Sequence, residues 1–302
     1  MYSGWYLIAF ESELVGSLTP VSIGDRRLVL VCDGERVRAF DAICPHRGAN
    51  LGFGGRLDGD AIVCPFHGKR VIAGERSDAC YWVREYPILC YGGMFFVRCS
   101  NEHENGLGAL LEHLVEDHVF ITCFALPMRV EADLVTENAF DETHFRPVHG
   151  VRTRNGFAVQ YDAKGALIAE TTLEVPVSQW QLGDQRAATV NVPFAAYAFS
   201  PHVVASHVGG DNSYWAITGA TPEPGHGCVV RFALAVPSKR GSQRVVPSKE
   251  RIHYLVQQSR GGLEQDQVVW ENLRRPAQPR YAPEDGAVIS FRNYCEHFAE
   301  PQ

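Results

Sequence analysis

The chain has 302 residues, of which 45% are hydrophobic and 21% charged, an ordinary globular composition that excludes disorder, collagen and coiled coil. Its 28 basic against 35 acidic residues give a net charge of −7, which argues against a nucleic-acid partner or an anionic membrane surface, since both reward clustered Lys and Arg. At roughly 150 residues per domain, two domains are expected.

The opening MYSGWYLIAFESELV has no basic stretch ahead of its apolar run and meets Glu11 and Glu13 early, so it does not read as a secretory signal and a cytoplasmic protein is expected. From Trp5 to about Cys99, short β-branched and aromatic runs (RLVLVC, VRAFDAIC, GGMFFVRC) alternate with turn residues, the pattern of a small all-β domain over residues 1–100. Asp33-Gly34, Asp58-Gly59 and Gly92-Gly93 supply the positive-φ positions of tight hairpins. The polar stretch Asn101–Gly106 reads as a linker into a second domain, residues 101–302. There the spacing predicts a helix over 108–117, strands over 120–130 and a helix over 134–144. ETTLEVPVSQWQL, RAATVNVPFAAYAFS and CVVRFALAVP follow as strands of an antiparallel sheet, then a long helix over 249–273 that Arg275-Pro276 closes. The longest uncharged run, Ala187–Gly210, holds Asn191, Pro193, Ser200, His202 and His207 and suits core strands, not a membrane span.

Within the first domain, Cys44-Pro-His46 and Cys64-Pro-Phe-His67 stand seventeen residues apart, and each pair offers one thiolate and one imidazole. Zinc modules usually group Cys with Cys and His with His. A Rieske [2Fe-2S] centre puts both Cys on one iron and both His on the other, so two symmetric loops must each supply one of each. C-P-H-R-G-A-N-L and C-P-F-H-G, with the turn glycine Gly74 and the ending from Tyr86-Pro87 to Phe96-Val97, resemble the Rieske family across the whole first domain. The resemblance implies Cys44, His46, Cys64 and His67 as cluster ligands. It departs at Lys69 and Val71, where aromatics are usual, which leaves packing around the second loop open. Cys32, Cys80, Cys90, Cys99, Cys123, Cys228 and Cys295 have no ligand spacing, and buried small hydrophobes are expected there.

The segment from Glu137 to Gly150 carries Asn138, Asp141, His144, Pro147 and His149. On a helix the first three of these polar positions stack on one face. His149, five residues after His144, lies about 140° around, so the imidazoles converge only if the helix bends or ends between them, and Pro147 is the expected break. A two-His, one-carboxylate triad of the non-haem iron type needs a carboxylate from elsewhere, since Asp141 suits a second role, accepting the other ring N–H of His144. Of Glu264, Asp266 and Glu271 in the late helix, Asp266 is the choice, set beside an apolar stretch.

N-x-x-D-x-x-H-x-x-x-x-H after such a first domain resembles the oxygenase component of Rieske non-haem iron oxygenases. D-x-x-V-W-E-N, P-E-D-G and F-R-N-Y further on look most like the 3-ketosteroid 9α-hydroxylase and cholesterol 7-desaturase branch, whose iron Asp precedes a similar apolar-Trp pair. The resemblance implies an α+β chain: an N-terminal Rieske domain, then a helix-grip catalytic domain in which an antiparallel sheet wraps a long helix. Mononuclear Fe(II) is then held by His144, His149 and Asp266, with Asn138 and Asp141 as catalytic candidates beside it. The same resemblance implies a head-to-tail homotrimer in which Asp141 links a cluster His, His46 or His67, to His144 of the next chain. No G-x-G-x-x-G follows a strand, so NAD(P)H should bind a separate flavin reductase or act through a ferredoxin. The expected activity is dioxygen-dependent monooxygenation at a C–H bond of a small, largely apolar ring compound, monooxygenation being preferred to dihydroxylation because the chain is short. The alternatives are oxidative O- or N-demethylation of an aromatic, or a Rieske electron carrier fused to a ligand-binding domain. Phe194, Tyr197, Phe199, Tyr214, His202 and His207 read equally as cavity lining or core.

Overall fold

A computed structural model of the chain describes residues 2–34, 36–75, 78–100, 102–176, 189–240, 243–276 and 278–299. The parts of two expected strands that fall on 177–188 lie outside the described residues.

The first unit consists of β1 (Trp5–Phe10), β2 (Leu18–Ile23), β3 (Arg26–Cys32), β4 (Val37–Asp41), β5 (Arg56–Asp58), β6 (Ala61–Val63), β7 (Arg70–Ala73), β8 (Trp82–Val83), β9 (Glu85–Tyr86), β10 (Ile88–Tyr91) and β11 (Met94–Arg98). They form three small sheets, ordered β1-β11-β10, β2-β3-β4-β9 and β5-β6-β7-β8. Within RLVLVC, Leu28 to Val31 are apolar without alternation because β3 is buried there on both faces. Leu28 and Leu30 pack with Tyr6, Ile8 and Val97, whereas Val29 and Val31 pack with Phe40, Ile62 and the cysteines Cys44 and Cys64. The expected hairpins form, with Gly34, Gly59, Gly92 and Gly93 all at positive φ. Burial divides the remaining cysteines: Cys99, Cys228 and Cys295 are buried and Cys32 and Cys123 half-buried, but Cys80 and Cys90 are exposed. Cys90 takes the outward phase of β10 and Cys80 the bend before β8, so the expectation of a core role fails at these two.

The second unit opens with α1 (Leu107–Asp117) and β12 (His118–Met128), continues through α2 (Ala132–Glu137) and α3 (Phe145–His149), then β13 (Arg152–Thr153), β14 (Ala158–Tyr161), β15 (Leu167–Pro176), β16 (Thr189–Ser200), β17 (Val203–Val208), β18 (Tyr214–Pro222) and β19 (Cys228–Pro237), and closes with α4 (Lys249–Trp270) and α5 (Gly286–Glu296). One antiparallel sheet runs β12-β19-β18-β17-β16-β15-β13, with β14 also paired to β15. The period of two along each strand gives the sheet two apolar faces. Phe232, Leu234 and Val236 meet Leu255 of α4, while Leu167, Val192 and Ala196 meet Phe291 and Tyr294 of α5. On the opposite face Phe199, Val203, Ile217 and Ala233 meet Trp5, Leu7 and Phe96 of the first unit, together with Leu111 of α1. The chain is therefore α+β, with the sheet sandwiched between the first unit and two helices. Among the described residues, no helix is long and apolar enough to cross a membrane.

The contact between the units is close. β1 is an edge strand, and edge carbonyls need partners when covered. Trp5 O accepts from Ser200 Oγ at 2.6 Å and Leu7 O from Thr221 Oγ1 at 2.8 Å and Arg231 Nη1 at 3.3 Å. Arg231, only 8% exposed, also grips Glu13 through two bonds of 2.8 and 2.9 Å. Gly219 allows the approach, since a Cβ there would lie 2.4 Å from the Leu7 Cβ.

α4 starts where the Ser248 side chain accepts from Arg251 N, a helix N-cap that satisfies a free amide. It carries Gly261 and Gly262 in mid-helix, each of which costs about 1 kcal/mol relative to Ala.

Two candidate metal centres

The two Cys-His loops repeat each other in their backbones. Cys44 N–H donates to Ala49 O and Cys44 O accepts from Gly48 N, while Cys64 N–H donates to Lys69 O and Cys64 O accepts from Gly68 N, all at 2.8–3.0 Å. Gly48 and Gly68 both sit at positive φ, which lets each loop fold back over its cysteine. The departure at residue 69 has little consequence: the backbone carbonyl of Lys69 makes the bond, and Val71 is fully buried in the core. Both cysteines are buried and their thiols touch. Burial and contact with Cys64 raise the Cys44 thiol pKa, against backbone N–H bonds from His46 and Arg47 that favour its thiolate. The rings of His46 and His67 stand 4.8 Å apart, edge to face, on the outer side. Burial and the neighbouring His67, Lys69 and Arg47 lower the His46 pKa, which favours the neutral form a metal needs. Two sulfurs inside and two imidazoles outside fit a [2Fe-2S] cluster held by all four.

The second segment departs from the expected single helix over 134–144. α2 ends at Glu137, a short 3-10 turn covers Asn138–Phe140, and Asp141 is extended at φ −91°, ψ 101°. The Asp141 carboxylate explains the stop, because Oδ1 accepts from Thr143 N and Oγ1 at 2.9 and 2.7 Å, a local side-chain turn that competes with helix. Asn138, Asp141 and His144 therefore do not share a helical face. The expected break at Pro147 is also absent. Phe145–His149 is one short helix with Pro147 in its first turn, where the missing N–H has no intrahelical partner to lose. His144 at its start and His149 at its end enclose Phe145, and the two imidazoles meet edge to face at 5.1 Å.

α4 brings the third ligand candidate. Asp266, 7% exposed, places Oδ1 3.3 Å from His149 Nε2, and donor atoms of His144, His149 and Asp266 all lie within 4.8 Å of one another. Asn138 joins them: its Nδ2 donates to Asp266 Oδ2 at 3.1 Å and lies 3.0 Å from His144 Nε2. Asn138 is held from behind, since Glu137 pairs with Arg292 of α5 at 2.6 and 2.9 Å. The other ring nitrogens have neutral partners. His144 Nδ1 lies 2.6 Å from the backbone carbonyl of Asp141, whereas the Asp141 carboxylate is 3.9 Å away, so the carbonyl and not the carboxylate takes that N–H. His149 Nδ1 lies 2.9 Å from Gln265 Oε1. Both contacts fix the tautomer that leaves Nε2 as the inward lone pair. Burial lowers the His144 pKa despite Asp266 and Asp141. At His149 the same burial is outweighed by bonds to Asp266 and Gln265, and the pKa rises. Two imidazoles and one carboxylate with an open side fit the facial set that holds Fe(II).

The open side faces a cavity of two joined chambers. The inner one, about 210 Å³, reaches the triad between Phe145, Phe194, Phe232 and Trp270. The outer one, about 350 Å³, leads past Val175, Tyr214, Gln257 and Gln258. Of the aromatics expected to line a cavity, Phe194 and Tyr214 do so. Phe199 belongs to the core under the first unit, and Tyr197 packs against Trp215 there. His202, buried and stacked on Tyr6, borders a separate cavity with Tyr2 and Asp133, and His207 stacks on Trp215. Sequence reasoning missed Gln265 and Phe145, which carry no motif of their own, and passed over Gly261-Gly262, an interruption of a helical pattern that was visible.

Residues 4–78 match the family model of the Rieske [2Fe-2S] domain, and residues 111–298 match that of the 3-ketosteroid 9alpha-hydroxylase C-terminal domain. Cholesterol 7-desaturase of Bombyx mori is 42% identical over 327 aligned positions, spanning 98% of this chain and 69% of that protein. The oxygenase component of 3-ketosteroid-9-alpha-monooxygenase of Rhodococcus rhodochrous is 23% identical over 330 positions, spanning 98% and 83%. Against cholesterol 7-desaturase of Drosophila melanogaster, the 43% identity is confined to 67 residues, 22% of this chain and 16% of that protein. The crystal structure of dicamba monooxygenase bound to dicamba has the same fold, with a TM-score of 0.71 and 17% identity over 98% of this chain and 96% of that one.

Proposed function

The chain belongs to the Rieske non-haem iron oxygenases, in the group that carries the 3-ketosteroid 9alpha-hydroxylase C-terminal domain, and from that premise we propose that it is an oxygenase component that hydroxylates a C–H bond of a largely apolar, ring-containing substrate. The observation that carries this reading is the His144, His149 and Asp266 triad standing at the inner end of an apolar cavity, in the same chain as the twin Cys-His loops. When bound, the cluster supplies electrons one at a time and the mononuclear iron supplies dioxygen activation. Cys44, His46, Cys64 and His67 hold the first, and His144, His149 and Asp266 the second. Asp141 O and Gln265 Oε1 keep both iron imidazoles aimed inward, Asn138 steadies Asp266, and Phe145, Phe194 and Phe232 exclude water from the reacting bond. The functional division falls near residue 100, into a cluster domain (1–100) and a catalytic domain (101–302).

Electrons come from NAD(P)H through a separate flavin reductase or ferredoxin, in the cytoplasm. The Asp141 Oδ2 atom is left over once Oδ1 has served Thr143, which supports a link to His46 or His67 of a neighbouring copy in a homotrimer. Asp141→Ala then keeps both metal centres but loses coupled turnover, and product formation at the normal rate by a fully loaded Asp141→Ala protein rejects this route.

Iron and acid-labile sulfide per chain on anaerobically purified protein test the whole reading. Three irons with two sulfides, falling to two irons with two sulfides in His149→Ala, support it. Two irons in the wild type under iron-replete conditions leave only an electron carrier and overturn it.

A further inference from the structure

We propose that Gly261 and Gly262 of α4 set the clearance of the cavity beside the triad and so determine which ring systems reach it. The proposal rests on the reading of this cavity as the substrate chamber. On α4, Ser259, Gly262 and Asp266 share the face that lines the inner chamber, and Gln258, Gly261 and Gln265 share the neighbouring face that lines the outer one, as spacings of three and four residues dictate.

The backbone does not require glycine at either position. Neither residue has a positive φ. A Cβ built on Gly261 meets nothing within 4 Å, and one on Gly262 meets only His149 Cε1, at 4.0 Å, an ordinary van der Waals contact. Gly219 and Gly227 differ, since a Cβ there would lie 2.4 Å from Leu7 Cβ or from Met128 O. What a side chain at 261 or 262 would occupy is free chamber volume at the approach to His149. Two consecutive helix-weakening residues with no packing demand are accounted for by the space they leave, and a ring substrate sliding along α4 uses that space.

The experiment compares wild-type holoenzyme with Gly261→Ala and Gly262→Ala. Without reductase, so that nothing turns over, titration calorimetry measures the binding of saturated ketones of one, two, three and four fused rings. Gly262→Ala is expected to weaken the four-ring ketone tenfold or more and the one-ring ketone no more than twofold, while its melting temperature rises and its iron content holds. Gly261→Ala is expected to follow the same order with a smaller spread. Equal losses across the series, no loss, a lower melting temperature, or no binding of any member by the wild type each overturn the proposal. Failure of the oxygenase reading registers separately, as two irons per chain, and leaves the comparison of affinities intact.

Discussion

Cys44, His46, Cys64 and His67 sit on two neighbouring loops whose hydrogen bonds repeat each other residue for residue, whereas the second centre joins residues far apart in sequence, with Asn138 and Asp266 separated by 128 positions and carried on different elements. The first site depends on local backbone geometry and on the core immediately beneath it. The second exists only when α3 is docked against α4 and both are held on the sheet. A site of the first kind should tolerate damage elsewhere in the molecule, and a site of the second kind should register it.

The sharpest cut is at the first site. Cys64→Ser is expected to remove the cluster, visible absorbance and turnover together, while the mononuclear metal remains, as metal analysis and sulfide assay will report. Loss of both metals from a folded Cys64→Ser protein breaks the distinction.

Glu13→Ala attacks the seam between the units. It strands the Arg231 side chain, 10% exposed, without its carboxylate, and because the Glu13 side chain is 32% exposed the cost falls near the low end for a buried pair, about 3 kcal/mol in urea unfolding. In partly denaturing urea the mononuclear metal should leave before cluster absorbance fades. The reverse order contradicts the comparison.

His202 adds a pH arm to the same test. Burial pushes its pKa down to about 4, against a smaller opposing pull from Asp133. The unfolded chain takes up this proton below about pH 6.5 and the folded chain does not, so stability falls as pH drops from 6.5 towards 4, by up to about 3 kcal/mol. His202→Phe should flatten that fall in urea midpoints measured across the range, and an unchanged slope removes His202 as its cause.

The smallest effect belongs to Gln265. Gln265→Ala frees the outer nitrogen of His149 and should weaken the mononuclear metal by 10–100-fold, about 1.4–2.7 kcal/mol, in competition with a chelator. Cluster absorbance should not change.

The same contrast explains what could be read without coordinates. The twin loops were legible because all their ligands and turn glycines lie within two short stretches, and the hairpins at Gly34, Gly59 and Gly92-Gly93 for the same reason. Asp266 was preferred for the apolar stretch beside it and singled out by resemblance to a known pattern, since helical spacing alone left Glu264 and Glu271 beside it. The helix expected over 134–144 failed because periodicity does not report that the Asp141 side chain bonds Thr143 and stops the helix. Alternating apolar patterns cannot say which face of β16 looks at α5 and which at β1, so Phe194 and Phe199 were indistinguishable until the sheet was assembled.

The seam at β1 has a consequence for how the chain is made. The strand at residues 5–10 is synthesised long before the groups that satisfy its outer carbonyls, those of Ser200, Thr221 and Arg231, and its own ladder partner is β11, near residue 98. Such long-range closure is slow, and it leaves an unpaired strand edge exposed during the wait. Translation must therefore deliver a further 224 residues, from Leu7 to Arg231, before this strand is fully covered, which makes the newborn first unit the natural client of a holding chaperone.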